Sequence, residues 1–172
     1  MALSIENEQI VGTIDNIQEK LNGELPTNRL ELIYLVNSWG RVSTNDYEIN
    51  GNKIEIKKYD PKECYDLSKL DVSQVTDMSY IFKCSMFDGD ISNWDVSSVT
   101  SMNNMFWRAI NFNSPIDLWN TSNVTSMDKM FYDAITFNQN INTWNTSNVT
   151  NMYGMFSNAT NFNQSLNTWN TS

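Results

Sequence analysis

Four tryptophans stand 25 residues apart, at Trp94, Trp119, Trp144 and Trp169, and a fixed period of this length confines a chain to stacked copies of one small unit. Other columns keep the same step: Val99, Val124 and Val149; Met102, Met127 and Met152; Phe106, Phe131 and Phe156; Phe112, Phe137 and Phe162. An earlier copy carries Val75, Met78, Ile81, Phe82 and Phe87, but Leu70 takes the place of Trp and one residue is missing between Phe82 and Phe87. A degenerate copy of this kind suits the boundary of an array.

Two periodicities alternate inside each copy. Met102, Met105, Phe106 and Ala109 fall at i, i+3, i+4 and i+7, one face of a short helix, with Thr100 before them as an N-cap. Met127, Met130, Phe131 and Ala134 repeat that face. Phe137, Ile141 and Trp144 then occupy a short extended run flanked by Asn and Ser. Each coil is predicted as short strand, turn, short helix and return, and the whole as an α/β repeat solenoid of about four coils. One coil cannot bury its own Met, Phe and Trp, whereas copies stacked at about 4.8 Å can, so these columns are read as the structural core. Asn138 and Asn163, and likewise Thr100, Thr125 and Thr150, fall at equivalent points of successive coils, where side chains can bond backbone groups in ladders.

The stretch Trp-Asp-Val-Ser-Ser-Val-Thr-Ser-Met-Asn-Asn-Met-Phe at 94–106 is matched by Trp-Asn-Thr-Ser-Asn-Val-Thr-Asn-Met-Tyr-Gly-Met-Phe at 144–156, followed by Ala159 and Phe162-Asn163-Gln164. This motif resembles the BspA-type surface-protein repeat, found in mycoplasma lipoproteins, other host-associated bacteria, protists and giant viruses. The resemblance covers residues 71–172. It implies a leucine-rich-repeat-like solenoid used for adhesion or protein contacts, without catalytic residues.

Residues 1–70 lack the period and are read as an N-terminal cap, with residues 71–172 as the solenoid of 24–25-residue repeats. Ile10, Val11, Ile14, Ile17 and Leu21 line one side of a predicted helix beginning near Ser4 and stopped by Gly23. Thr27 caps a second helix reaching Trp39. The Asn50-Gly51 pair between two alternating runs predicts a hairpin with a type I′ turn. At the other end the chain stops as a further tryptophan turn begins, so Trp169, Leu166 and Phe162 are expected to form an uncovered coil face that can contact something else.

Histidine is absent, which excludes Ser-His and Cys-His nucleophile pairs and His-ligated zinc. The two cysteines, Cys64 and Cys84, form neither a disulfide framework nor a metal spacing. Asp88-Gly89-Asp90 lacks the later ligands of a calcium loop and reads as a turn. The Asn-x-Ser/Thr triplets follow from the repeat's composition. No catalytic residue, cofactor site or metal site is expected. The net charge of −9 is spread over both parts without a basic patch, which disfavours nucleic acid and anionic membranes as partners. No segment has the length and apolarity of a membrane span, and the first residues lack the features of a signal peptide. An intracellular or particle-associated location is the default expectation, and the cell surface if a leader has been removed.

The expected function is therefore a non-enzymatic protein-interaction or structural module, presenting a repeat surface for adhesion or assembly, through its side or its C-terminal end. The alternatives are a carbohydrate-binding or hydrolytic protein using exposed Trp and acidic residues, and a self-associating component of a virus particle.

Overall fold

A computed structural model of the chain describes residues 66–170 continuously, together with Ser4–Glu6, Gln9–Val11, Val36, Glu48–Ile49 and Asn52–Lys53. Where the apolar spacing predicts the start of a helix, β1 (Ser4–Glu6) pairs antiparallel with β2 (Gln9–Val11), Ser4 opposite Val11. The β-branched Ile5, Ile10 and Val11 suit a pleated ribbon, and local strand pairing overrides the helical spacing. β3 (Glu48–Ile49) pairs with β4 (Asn52–Lys53), with only Asn50 and Gly51 between them. Val36 is helical, fully buried, and belongs to the same apolar cluster as Leu67 and Leu70. Residues 66–70 of the expected cap are described and lead into the first coil; the rest of it, Cys64 included, lies outside the described residues.

From Leu67 onward the chain runs in stacked coils: coil 1 over residues 67–90, coil 2 over 91–115, coil 3 over 116–140, coil 4 over 141–165, and the beginning of another through 170. Isolated parallel bridges join Asp77 to Ser101, Ser101 to Ser126 and Ser126 to Asn151. The register is 24 residues before the gap at Phe82–Phe87 and 25 after it. Ser85 sits at the gap, where its buried hydroxyl accepts the Phe87 amide at 3.1 Å.

Two rails of hydrogen bonds hold neighbouring coils. In the first, the amides of Thr100, Thr125 and Thr150 donate back to the carbonyls of Thr76, Thr100 and Thr125 at 2.8 Å. Their hydroxyls donate to the same carbonyls at 3.1 Å. Thr100, expected to cap a helix, is thus a rung of an inter-coil ladder. In the second rail, the amides of Met102, Asn104, Phe106 and Arg108 donate forward to the carbonyls of Ser126, Asp128, Met130 and Tyr132 at 2.7–3.0 Å. The corresponding residues of coils 1 and 3 do the same.

This second rail decides the local conformation. The segment 102–109, predicted as a short helix, forms turns, with amides of Met105, Trp107 and Ala109 donating to the carbonyls of Met102, Asn104 and Phe106. An α-helix would use its interior amides internally, four residues back. Here alternate amides go to the next coil, and the intervening ones close three-residue steps. Asn104 (φ 55°) and Arg108 (φ 54°) take the left-handed conformation at the third place of the turns 102–105 and 106–109, where a type II turn requires positive φ. The same two places recur in every coil: Tyr80, Asn104, Lys129 and Gly154 form one left-handed column, and Cys84, Arg108, Asp133 and Asn158 the other. Such a conformation costs a side-chain-bearing residue about 1–2 kcal/mol and persists because the surrounding bonds hold it.

Gly154, at φ 61°, tests this directly. A methyl group there would meet the side chains of Lys129 and Ser157 at 3.4 Å, ordinary contact, so the penalty is one of backbone conformation. Gly154→Ala is expected to lower stability by about 1 kcal/mol, seen as a lower urea midpoint at unchanged slope. An unchanged midpoint would contradict the left-handed column.

The core lies inside the coils as columns of rings. Phe82, Phe106, Phe131 and Phe156 stack face to face at centroid distances of 5.0, 5.4 and 5.7 Å. Phe87, Phe112, Phe137 and Phe162 form a second column at 6.3, 6.0 and 5.8 Å. Trp119, Trp144 and Trp169 form a third at 6.2 and 6.3 Å. Each indole N–H donates to a carbonyl of the preceding coil: Trp94 to Leu67, Trp119 to Ile91, Trp144 to Ile116 and Trp169 to Ile141 at 2.9–3.1 Å. Trp94, Trp119, Trp144, Met102, Met127, Phe106, Phe131, Phe112 and Phe137 are buried. Met152, Phe156, Phe162, Leu166 and Trp169, in the last coil and beyond, are half-buried against the same cluster. No helix among the described residues is long and apolar enough to cross a membrane.

Candidate functional site

The left-handed turns determine what the coils present outside. In each turn segment the Met and Phe positions face the core, while the first of the two left-handed residues and the residue three places after it are half-buried or exposed. Coil 1 contributes Tyr80 and Lys83 there, coil 2 Asn104 and Trp107, and coil 3 Lys129 and Tyr132. With Tyr153, Gly154 and Ser157 of coil 4 they line a groove of about 640 Å³. Gly154 has no side chain to fill the groove, and Tyr153 beside it is 72% exposed.

The groove gathers aromatic rings and cations. The Lys83 ammonium lies 4.7 Å from the centre of the Trp107 ring and 5.5 Å from that of Tyr80. Arg108 lies 5.5 Å from Trp107, and Lys129 5.2 Å from Tyr153. Trp107 and Tyr132 stack at 6.1 Å. Cations over ring faces at these distances are attracted by the ring quadrupole. Lys83, Arg108 and Lys129 are all the basic residues of segment 71–172, which also carries eight aspartates, and none of the groove's lining residues is acidic. Two of the three bases, Lys83 and Lys129, thus line the groove, and the third, Arg108, lies beside it against Trp107. Asp128 and Asp133 flank that face in the sequence.

Sequence reasoning missed this face, because Lys83, Arg108 and Lys129 are too far apart in the chain to read as a basic patch. The signal was nevertheless present. Aligning the coils puts Lys83, Trp107, Tyr132 and Ser157 in one column and Tyr80, Asn104, Lys129 and Gly154 in the next.

The Asn and Thr columns are engaged within the stack. The Asn138 amide N–H donates to Asn113 Oδ1 at 2.9 Å, and that of Asn163 to Asn138 Oδ1 at 3.0 Å. Asn123 and Asn148 donate from Nδ2 to the carbonyls of Ser97 and Ser122. Asp90 and Asp95 close short turns by accepting the amides of Ser92 and Ser97 at 2.8 and 3.0 Å. Hydrogen bonds from Ser92, the backbone one first, hold the Asp90 carboxyl below its ordinary range, and those from Ser97, led by its side chain, do so for Asp95.

Phe162, Leu166 and Trp169, expected as an end contact, are tied to the coil beneath. Phe162 stacks on Phe137, and Trp169 stacks on Trp144 and donates its indole N–H to the Ile141 carbonyl at 3.1 Å, while Leu166 is half-buried against the same cluster. Cys84 is buried in the left-handed column. Among the described residues no three His, Cys, Asp or Glu side chains come together as a metal site would require. What the groove presents is ammonium, phenol, indole, hydroxyl and amide donors, a set suited to holding a partner's acceptors.

The family described as "Mycoplasma protein of unknown function, DUF285" matches residues 56–169, a span that takes in all four coils. No curated protein matches the chain, and no solved structure does.

Proposed function

The chain belongs to the mycoplasma-type repeat family described as DUF285, and on that footing we propose that it is a non-enzymatic interaction module of the BspA type, a leucine-rich-repeat-like solenoid that offers its aromatic and cationic groove to a protein partner. The observation that carries this reading is the convergence of Tyr80, Lys83, Trp107, Lys129, Tyr132 and Tyr153 from four successive coils. Protein interfaces are anchored by Trp, Tyr and Arg in desolvated pockets. Tyr80 also packs against the core, whereas Trp107, Tyr132 and Tyr153 lie outside the apolar cluster, which is filled by the inner Phe, Met and Trp columns.

A photo-crosslinking residue placed at Tyr153, with a second at Asn120 on another part of the coil as control, tests the proposal. Covalent capture of one protein species is expected from position 153 and not from position 120. Trp107→Ala is expected to weaken that capture by about tenfold or more while the urea unfolding curve stays cooperative. Equal adducts from both positions, or capture indifferent to Trp107, would overturn the groove as the interface.

A further inference from the structure

We propose that the groove holds an extended, carboxylate-bearing peptide segment of the partner, lying along the coil axis with its acidic side chains against Lys129 and Lys83. This rests on the interaction reading above and names the chemistry of what is bound.

Three features support it. The first is charge: Lys83 and Lys129, two of the three bases of segment 71–172, line the groove, the third, Arg108, lies against Trp107, and no lining residue is acidic, so a carboxylate finds donors here in a segment that otherwise carries eight aspartates. Such complementarity selects partners and steers encounter.

The second is how the rings are packed. Tyr80 and Trp107 each have Lys83 over a face, Trp107 and Tyr132 cover one another, and Tyr153 carries Lys129. A sugar ring or a nucleic-acid base needs an open aromatic face on which to stack. Trp107, with Lys83, Arg108 and Tyr132 about it, has little face left for stacking, and the three tyrosines present hydroxyl groups, which suit the carbonyls, amides and carboxylates of a peptide.

The third is length. Four coils at about 4.8 Å make a groove roughly 15 Å long, room for four or five extended residues at about 3.3 Å each, with alternate side chains on one side about 6.6 Å apart. A peptide of alternating acidic residues therefore sets successive carboxylates along the face that carries Lys83 and Lys129.

The test uses the full chain and a short fluorescent peptide of alternating Glu and Ser, read by anisotropy, with a Gln-Ser peptide and a heparin-derived oligosaccharide as comparisons. The Glu peptide is expected to bind at least about tenfold more tightly than the Gln peptide and to weaken as salt is raised. Lys129→Gln, which removes the charge but keeps a polar side chain, is expected to reduce that affinity about fivefold or more, and Lys129→Arg to restore most of it.

Equal binding of the Glu and Gln peptides, absence of binding by both, or tighter binding of the oligosaccharide would each overturn the proposal, the last in favour of an anionic glycan. Crosslinks from position 153 separate this failure from that of the wider reading. If they persist in a Lys83→Gln, Lys129→Gln double variant, the groove is still the interface and only the acidic-peptide assignment falls.

Discussion

Replacement of Phe131 by alanine is expected to remove about 3–5 kcal/mol of unfolding free energy, a large share of the roughly 5–15 kcal/mol available to a domain. The ring is fully buried. It lies parallel to Phe106 at 5.4 Å and to Phe156 at 5.7 Å, and within its own coil it meets Phe137 at 3.9 Å. Truncation therefore opens a void bounded on three sides by other rings. Collapse into that void is resisted by the backbone: the amides of Phe106 and Phe131 donate to the carbonyls of Met130 and Met155 at 2.9 Å, so the coils cannot close up without breaking rungs. Phe156→Ala removes the same atoms from a half-buried site and should cost clearly less. Urea denaturation of both variants checks the claim. Equal losses would mean that the column does not bury Phe131 more deeply than Phe156.

The second large effect is expected at Trp119, where two substitutions separate the core from the ladder. Trp119→Ala removes a buried indole that stacks on Trp144 and should cost about 3–5 kcal/mol. Trp119→Phe keeps most of the apolar volume but deletes the N–H that donates to the buried Ile91 carbonyl at 3.1 Å. An acceptor left unsatisfied in the interior costs about 1–3 kcal/mol. The Phe variant is thus expected to fall between wild type and the Ala variant, with its fluorescence unfolding transition still cooperative. A Phe variant as stable as wild type would show that the indole column acts through packing alone.

Which residues align from coil to coil could be read directly from the period. The step that sets Trp119 above Trp144 in the sequence is the step across which their rings stack, and the missing residue between Phe82 and Phe87 reappears as the register change from 24 to 25. The conformation of the segment 102–109 could not be read in this way. Apolar residues at i, i+3, i+4 and i+7 suit a helix, but they equally suit a pair of consecutive turns that returns the chain to the core every three or four residues. Asn104, Gly154 and Asn158 did carry a trace of the left-handed columns, since Gly and Asn tolerate positive φ. Asp133 shares that tolerance, whereas Tyr80, Lys129, Cys84 and Arg108 at the equivalent places hid it. At the N-terminus the same kind of ambiguity was decided the other way from the predicted helix, by the pairing of β1 with β2.

The sequence by itself thus determined the composition of each column, because an exact repeat stacks like upon like whatever path the chain takes within one unit. Tertiary structure decided that path and, with it, the groove. An amide of segment 102–109 can bond four residues back or to the coil stacked on it, and only the presence of that neighbouring coil makes the second choice available. Once alternate amides cross between coils, the turns become left-handed at fixed places, and Lys83, Trp107, Lys129 and Tyr153, scattered over seventy-one residues of chain, come to line one face.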